Sequence, residues 1–126
     1  MGSGVIDAAM REFGMPMGPF EVVDEVGIDV ALKVAGILGR AFPDRMAPSP
    51  ALETLKERGR LGRKSGLGFQ RRRGRKRELD PEVRRILGLT RERTASGPAA
   101  LAERMVLAMV NEAARCLDEG VVEEAG

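Results

Sequence analysis

The chain has 126 residues, enough for one domain and hardly for two. Its 21 basic residues nearly balance 19 acidic ones, but the positive charge is concentrated in the middle of the chain. The complete absence of histidine removes the commonest general base and the commonest metal ligand. The single cysteine, Cys116, excludes an internal disulfide, and no stretch approaches the ~20 apolar residues that a membrane span needs. These features predict a soluble, cytoplasmic protein.

Helical patterns separated by glycine and proline fill the first half of the chain. Apolar residues recur on one side of each segment, and Asp29 is the expected N-cap of the third helix. Four helices are therefore predicted: residues 5–13, 20–26, 30–42, and a helix between the loop at 47–50 and Gly59.

The second half is more irregular. Five glycines between residues 59 and 74 predict irregular backbone. Asp80 and Pro81 then predict the start of a short helix, residues 90–98 a linker, and residues 98–119 a long helix. No segment has the alternation and the Asn-Gly or Asp-Gly turn of a β-hairpin. The predicted fold class is all-α.

Three segments carry a family resemblance. Residues 13–29, FGMPMGPFEVVDEVGID, closely resemble a signature of the C-terminal domain of 3-hydroxyacyl-CoA dehydrogenases. Residues 62–69, GRKSGLGF, resemble the family's Gly-Arg-Lys-Thr-Gly-Lys-Gly-Phe-Tyr motif, although Leu67 stands for the common Lys and Gln70 for the Tyr. Residues 104–120 resemble the helix that opens each half of the duplicated domain, which suggests a multifunctional member of the family.

The resemblance implies a helical bundle similar to the C-terminal-like domain of 6-phosphogluconate dehydrogenase. Residues 5–70 would form a first helical half-domain without its opening long helix. Residues 71–97 would be a basic and polar connection with a short helix, and residues 98–126 would begin the second half-domain.

The resemblance also implies a function. The intact enzyme would use NAD to oxidise the (S)-3-hydroxyl group of an acyl-CoA in fatty-acid β-oxidation. Its catalytic His and Glu and its Rossmann domain would lie upstream, since this chain has no histidine and no G-x-G-x-x-G after a strand. The chain alone is therefore expected to be inactive, with no catalytic, cofactor or metal residues. The expected partners are the Rossmann domain, the acyl-CoA substrate and further copies of the chain, without nucleic acid or membrane.

The candidate substrate-binding residues lie in two motifs. A rigid turn between two helices, packed into the core, is the favoured interpretation of the first motif; the turn would also border the acyl-CoA cleft, and the two roles are compatible. Within the glycine motif, two basic side chains could approach CoA phosphates or could be ordinary solvated charges. The residues assigned are Met15, Met17, Gly18, Pro19, Phe20, Arg63 and Lys64.

Two further readings stay open. The basic run at 71–77 would fit a small helical nucleic-acid-binding module, but a solvated connecting loop is favoured because no aromatic residues accompany it. A stand-alone dimerisation domain is a third possibility. Without the opening helix, apolar faces of residues 5–42 would be uncovered, and the helix at 98–119 would cover them within the chain or from a second copy.

Overall fold

The computed structural model describes residues 3–88 and 97–124 of the chain. Most of these residues are helical, which confirms the all-α class, and residues 90–96 of the predicted linker lie outside the described part. The elements in chain order are α1 (Ser3–Phe13), α2 (Pro19–Val26), α3 (Ile28–Ala41), α4 (Pro50–Glu57), a 3₁₀ turn (Arg63–Ser65), β1 (Gln70–Arg73), β2 (Lys76–Leu79), α5 (Pro81–Ile86) and α6 (Pro98–Asp118).

Short polar residues set several helix boundaries. Ser49 caps α4 by accepting the Ala51 N–H at 3.3 Å, and Asp80 caps α5 as predicted. The predicted start of α3 was wrong, because the helix begins two residues earlier than expected. Gly27, at φ +112°, both ends α2 and precedes Ile28, so Asp29 lies inside the first turn of α3 and is not its N-cap. Glycine is required at position 27 because other residues rarely adopt that backbone angle.

The hairpin was not predicted. β1 pairs with β2 in antiparallel register, and Gly74 at φ +62° forms the turn where irregular, solvated chain was expected at 71–77. The sequence pattern failed because the turn is Gly74-Arg75 and the strands are almost entirely charged. What holds the hairpin is its base, where Asp80 N–H donates to the Phe69 carbonyl at 3.0 Å.

The main core lies where α2 to α5 meet the hairpin. Its four buried members are Ile28, Leu55, Phe69 and Val83, contributed by four different parts of the chain. Phe20 packs edge-on against Phe69, with ring centroids 4.9 Å apart and planes at 71°. The residues between Pro19 and Val83 thus form one hydrophobic core, which includes Phe69 at the end of the glycine motif.

The long helix α6 packs against α1 within the same chain. Met10 of α1 and Leu101 of α6 are buried there, while Arg45 reaches the far half of α6 and binds Glu112 at 3.0 Å. As predicted, an apolar face within residues 5–42 is uncovered, and it lies on α3, where Ile37 is 57% exposed. Exchange of α6 between two copies stays a prediction. Among the described helices none is both long and apolar enough to cross a membrane.

Candidate functional site

The turn between α1 and α2 is held by a buried carboxylate. Gly18 is the N-cap residue of α2 and has no side chain with which to cap it. Asp7 of α1 does so instead, since its Oδ1 accepts the Phe20 N–H at 2.9 Å and its Oδ2 accepts the Glu21 N–H at 3.2 Å. A Cβ at position 18 would collide with Asp7, so glycine is needed for this approach.

Asp7 is only 2% exposed, and its charge state matters to the turn. Burial raises the pKa of the Asp7 carboxyl, against the opposing effect of the Phe20 and Glu21 amides and the charge of Arg11. Gln70 at the start of β1 also donates its side-chain amide to Oδ2 at 2.5 Å. One carboxylate therefore links α1, the turn and the hairpin.

Behind the turn lies an apolar pocket of about 450 Å³. Pro19 and Phe20 form one wall, and the ring of Phe69 lies at its base in the core. The remaining lining residues come from α2, α4, β2 and α5 and their flanks: Val23, Ser49, Ala51, Leu52, Leu79, Val83 and Leu87. The pocket is an opening into the main core, so its walls are fixed by packing.

The glycine motif is built around a second buried acid, Asp24 of α2. Its Oδ1 accepts the Phe69 N–H at 2.7 Å and its Oδ2 accepts the Gln70 N–H at 2.8 Å. A Cβ on Gly62 would strike the Asp24 carbonyl, and one on Gly68 would strike the Asp24 carboxylate. These two glycines therefore allow the loop to close on α2.

Arg60 supports the same loop from the other side. Its side chain is 3% exposed and donates to the Gly68 carbonyl at 2.9 Å and to Asp80 at 2.5 Å. Burial by itself would raise the pKa of Asp80, but the Arg60 hydrogen bond and the Glu82 N–H outweigh it and leave the pKa below its ordinary value. Arg60 is thus a structural cation within the fold.

The two basic candidates of the glycine motif, Arg63 and Lys64, form ion pairs with different acidic residues. Arg63, 68% exposed, pairs with Glu25, and Lys64 pairs with Asp29 on α3. The Lys64 hydrogen bond lowers the pKa of Asp29. Arg63 lines a second, polar cavity, whereas Lys64 lines neither that cavity nor the apolar pocket.

The structure thus brings together only part of the predicted site. Pro19 and Phe20 share the apolar pocket, Met15 and Met17 are half-buried outside its lining, and Gly18 is buried under Asp7. The sequence reading missed the roles of Asp7, Asp24 and Arg60. A usable signal was present for Asp7, which stands three residues before the buried Met10 on the same helical face.

The described residues define a mostly helical domain with an apolar, ligand-sized pocket. Nowhere in the described ranges do three His, Cys, Asp or Glu residues group in a way that could hold a metal ion.

Comparison with known proteins assigns this domain. Residues 3–72, more than half of the chain, match the model of the 3-hydroxyacyl-CoA dehydrogenase C-terminal domain. The alpha subunit of the fatty acid oxidation complex of Vibrio campbellii is 42% identical over 93% of the chain, and that of Vibrio vulnificus is 43% identical over the same share. The chain spans only 16% of the length of each of these relatives.

Solved structures of related dehydrogenases lead to the same family. The dehydrogenase part of multifunctional enzyme 1 from C. elegans matches 93% of the chain and 27% of its own, with TM-score 0.65 and 28% identity. The 3-hydroxybutyryl-CoA dehydrogenase of Escherichia coli K12 matches 54% of the chain and 15% of its own, with TM-score 0.51 and 45% identity. The chain belongs to the 3-hydroxyacyl-CoA dehydrogenase family, and the matched region is that family's C-terminal domain.

Proposed function

We propose that this chain supplies the helical wall of the acyl-CoA cleft in an NAD-dependent (S)-3-hydroxyacyl-CoA dehydrogenase of fatty-acid β-oxidation. The observation that carries the proposal is the apolar pocket of about 450 Å³ bordered by Pro19 and Phe20. Pockets that hold small molecules are commonly ~300–1,000 Å³ and mostly apolar. A pocket of this kind suits part of an acyl chain.

The chain's own contribution would be binding and exclusion of water. It contains no histidine, so the proton of the substrate hydroxyl would pass to a residue of another domain. The described residues do not fit a dinucleotide either, because their one sheet is the antiparallel hairpin and no parallel strand leads into a helix. NAD would bind to the Rossmann domain of the intact enzyme and accept the hydride there.

Each of the other candidate residues has its own proposed role. Met15 and Met17 would line the mouth of the cleft, and Gly18 would place the turn through Asp7. Arg63 and Lys64 pair with Glu25 and Asp29, and either side chain could turn from its partner toward CoA phosphates. Exposed ion pairs contribute only about 0–1 kcal/mol, so such an exchange would cost little.

The setting of the chain belongs to the same proposal. We propose a cytoplasmic protein in which this domain packs on a Rossmann domain and associates with further copies, with acyl-CoA as substrate. The uncovered apolar residues of α3 support association. Neither nucleic acid nor a membrane is a proposed partner.

Calorimetric titration of the 126-residue chain with CoA and with butyryl-, decanoyl- and palmitoyl-CoA tests the proposal. A buried methylene contributes about 0.8 kcal/mol, so affinity should rise about fourfold for each methylene that enters the pocket. Affinity that does not depend on chain length would rule out the acyl-chain pocket.

A matched pair of variants locates the binding. Ala51→Phe places a ring in the pocket wall and should weaken decanoyl-CoA binding by about tenfold. Ala114→Phe makes the same change on the exposed surface of α6 and should leave the affinity unchanged. Equal affinities for the two variants would place the acyl chain elsewhere.

A further inference from the structure

A second cavity, of about 230 Å³, lies between the glycine motif and the hairpin. Three arginines line it, Arg63, Arg71 and Arg72, and we name it the arginine cleft. Asp24 is its acidic lining residue, but both carboxylate oxygens of Asp24 already accept backbone N–H groups. The cleft therefore offers more positive than negative charge to a ligand.

The arginines of the cleft differ in how they are held. Arg63 pairs with Glu25, and Arg71 binds Glu78 through Nε at 3.1 Å and Nη2 at 2.9 Å. Arg72 is exposed and makes no ion pair or hydrogen bond with any residue that the structure describes. Since a guanidinium has five N–H donors, Arg63 and Arg71 still have N–H groups that their ion pairs do not use.

The backbone register of the hairpin brings further basic positions to the same edge. It places Arg72 opposite Arg77 and Arg73 opposite Lys76. The two facing pairs therefore hold four basic residues and no acidic one.

The cleft also leaves room beside its backbone. Gly66, at φ +80°, is one of its lining residues, and a Cβ there would meet nothing within 4 Å. Phosphate oxygens commonly approach glycine backbone and arginine forks together.

We propose that the arginine cleft binds the phosphoryl groups of a nucleotide-type ligand, with Arg72 as the principal contact and Arg63 and Arg71 at its sides. This inference rests on the proposed function in one respect, the choice of CoA, with its diphosphate and 3′-phosphate, as the source of those groups. The anion site itself does not depend on the acyl-chain pocket.

Titration of the 126-residue chain with pyrophosphate and with CoA in a low-salt buffer tests the site. Arg72→Gln should weaken the binding of both by about tenfold, as expected for loss of a charge-assisted hydrogen bond. Arg40→Gln, the same change on exposed α3, is the control and should bind as the wild type does. Absence of binding, or equal binding by Arg72→Gln, would overturn the proposal.

A thermal melt separates binding from folding. Without ligand, Arg72→Gln should melt no lower than the wild type, because Arg72 is exposed and makes no ion pair with a described residue. Pyrophosphate should raise the melting temperature of the wild type and of Arg40→Gln clearly more than that of Arg72→Gln, which binds it about tenfold more weakly. An equal rise in all three would place the anion elsewhere.

Competition distinguishes the sources of phosphate. Stronger binding of CoA than of dephospho-CoA would place the 3′-phosphate in the cleft, and equal binding would place the diphosphate there. A short RNA that binds more tightly than CoA and loses its affinity in Arg72→Gln would overturn the proposal in favour of a nucleic-acid surface. Failure of the acyl-chain proposal would appear only in the chain-length series and in Ala51→Phe.

Discussion

Asp24 on α2 accepts a 2.7 Å hydrogen bond from the backbone N–H of Phe69, which lies 45 residues further along the chain. The same carboxylate accepts the next N–H, that of Gln70. Gly68 lies directly against it, with no space for a side chain. The glycine motif thus takes its shape from one acid on a neighbouring helix.

Gly68→Ala should therefore destabilise the chain by about 2–3 kcal/mol, the upper range for inserting a methyl group into packed structure. The Asp24 carboxylate cannot yield easily because both its oxygens are hydrogen-bonded. Urea denaturation measures the loss. Gly4→Ala in α1 meets nothing within 4 Å and should be neutral or stabilising by up to about 1 kcal/mol. A neutral Gly68→Ala would refute the close approach.

Arg60→Met should cost about 3–5 kcal/mol, because it leaves the Asp80 carboxylate buried without its cation. It also removes both donors to the Gly68 carbonyl. Urea denaturation of Arg60→Met, Asp80→Asn and the double variant measures the coupling. The double variant should lose clearly less than the two single losses added together, and strict additivity would show that the pair does not interact.

Asp7 should make the chain less stable as the pH rises above about 4. Because burial raises its pKa above the ordinary 3.8, its contribution is fully present below 3.8 and is lost as the pH rises through the folded-state pKa. Asp7→Asn removes this titration, so its stability relative to the wild type should improve between about pH 4 and pH 7. Parallel pH profiles in urea denaturation would contradict the assignment.

Asp80 should act with the opposite sign. Its pKa is lowered, so its stabilising contribution is present above 3.8 and is lost as the pH falls through the lower folded-state value. Asp80→Asn should therefore flatten the loss of stability in acid below about pH 4, where Asp7→Asn changes little. Thermal melts across this pH range measure whether Asp80 and Asp7 change the stability with opposite signs.

Arg45→Ala should release the second half of α6 without unfolding α1. Arg45 binds Glu112 and Glu119, and its presence lowers the pKa of Glu119. Amide hydrogen exchange should become faster around Glu112 to Glu119 and stay unchanged near Leu101, which is buried against α1. Arg40→Ala is the control. Unchanged exchange in α6 would mean that the ion pairs do not hold the helix.

The sequence predicted the helices because their ends coincide with strong local signals. Gly14, Gly27 and Pro50 interrupt the apolar periodicity, and Asp80 with Pro81 begins α5 as expected. These features act within one or two turns of chain, so no knowledge of tertiary structure is needed to interpret them. The resemblance in the two motifs then led to the correct family.

The buried polar residues were out of reach for the opposite reason. Asp7 and Asp24 look like surface charges of their helices, and Arg60 looks like a surface charge of the loop after α4. Their partners lie 13 to 45 residues further along the chain. The hairpin was missed in the same way, because its stability comes from its anchored base and not from apolar alternation in its strands. Of the five turn residues assigned from the motif, Pro19 and Phe20 line the apolar pocket, whereas Leu79 and Val83 could be placed there only from the fold.

The way the hairpin is fastened has a practical consequence for protein engineering. Its root is tied through the main chain, by the amides of Phe69 and Gln70 on Asp24 and by the Asp80 amide on the Phe69 carbonyl. Main-chain bonds of this kind do not depend on which side chains follow. The tip beyond Gln70 could therefore be exchanged for a foreign loop, which makes it a natural grafting position on this scaffold.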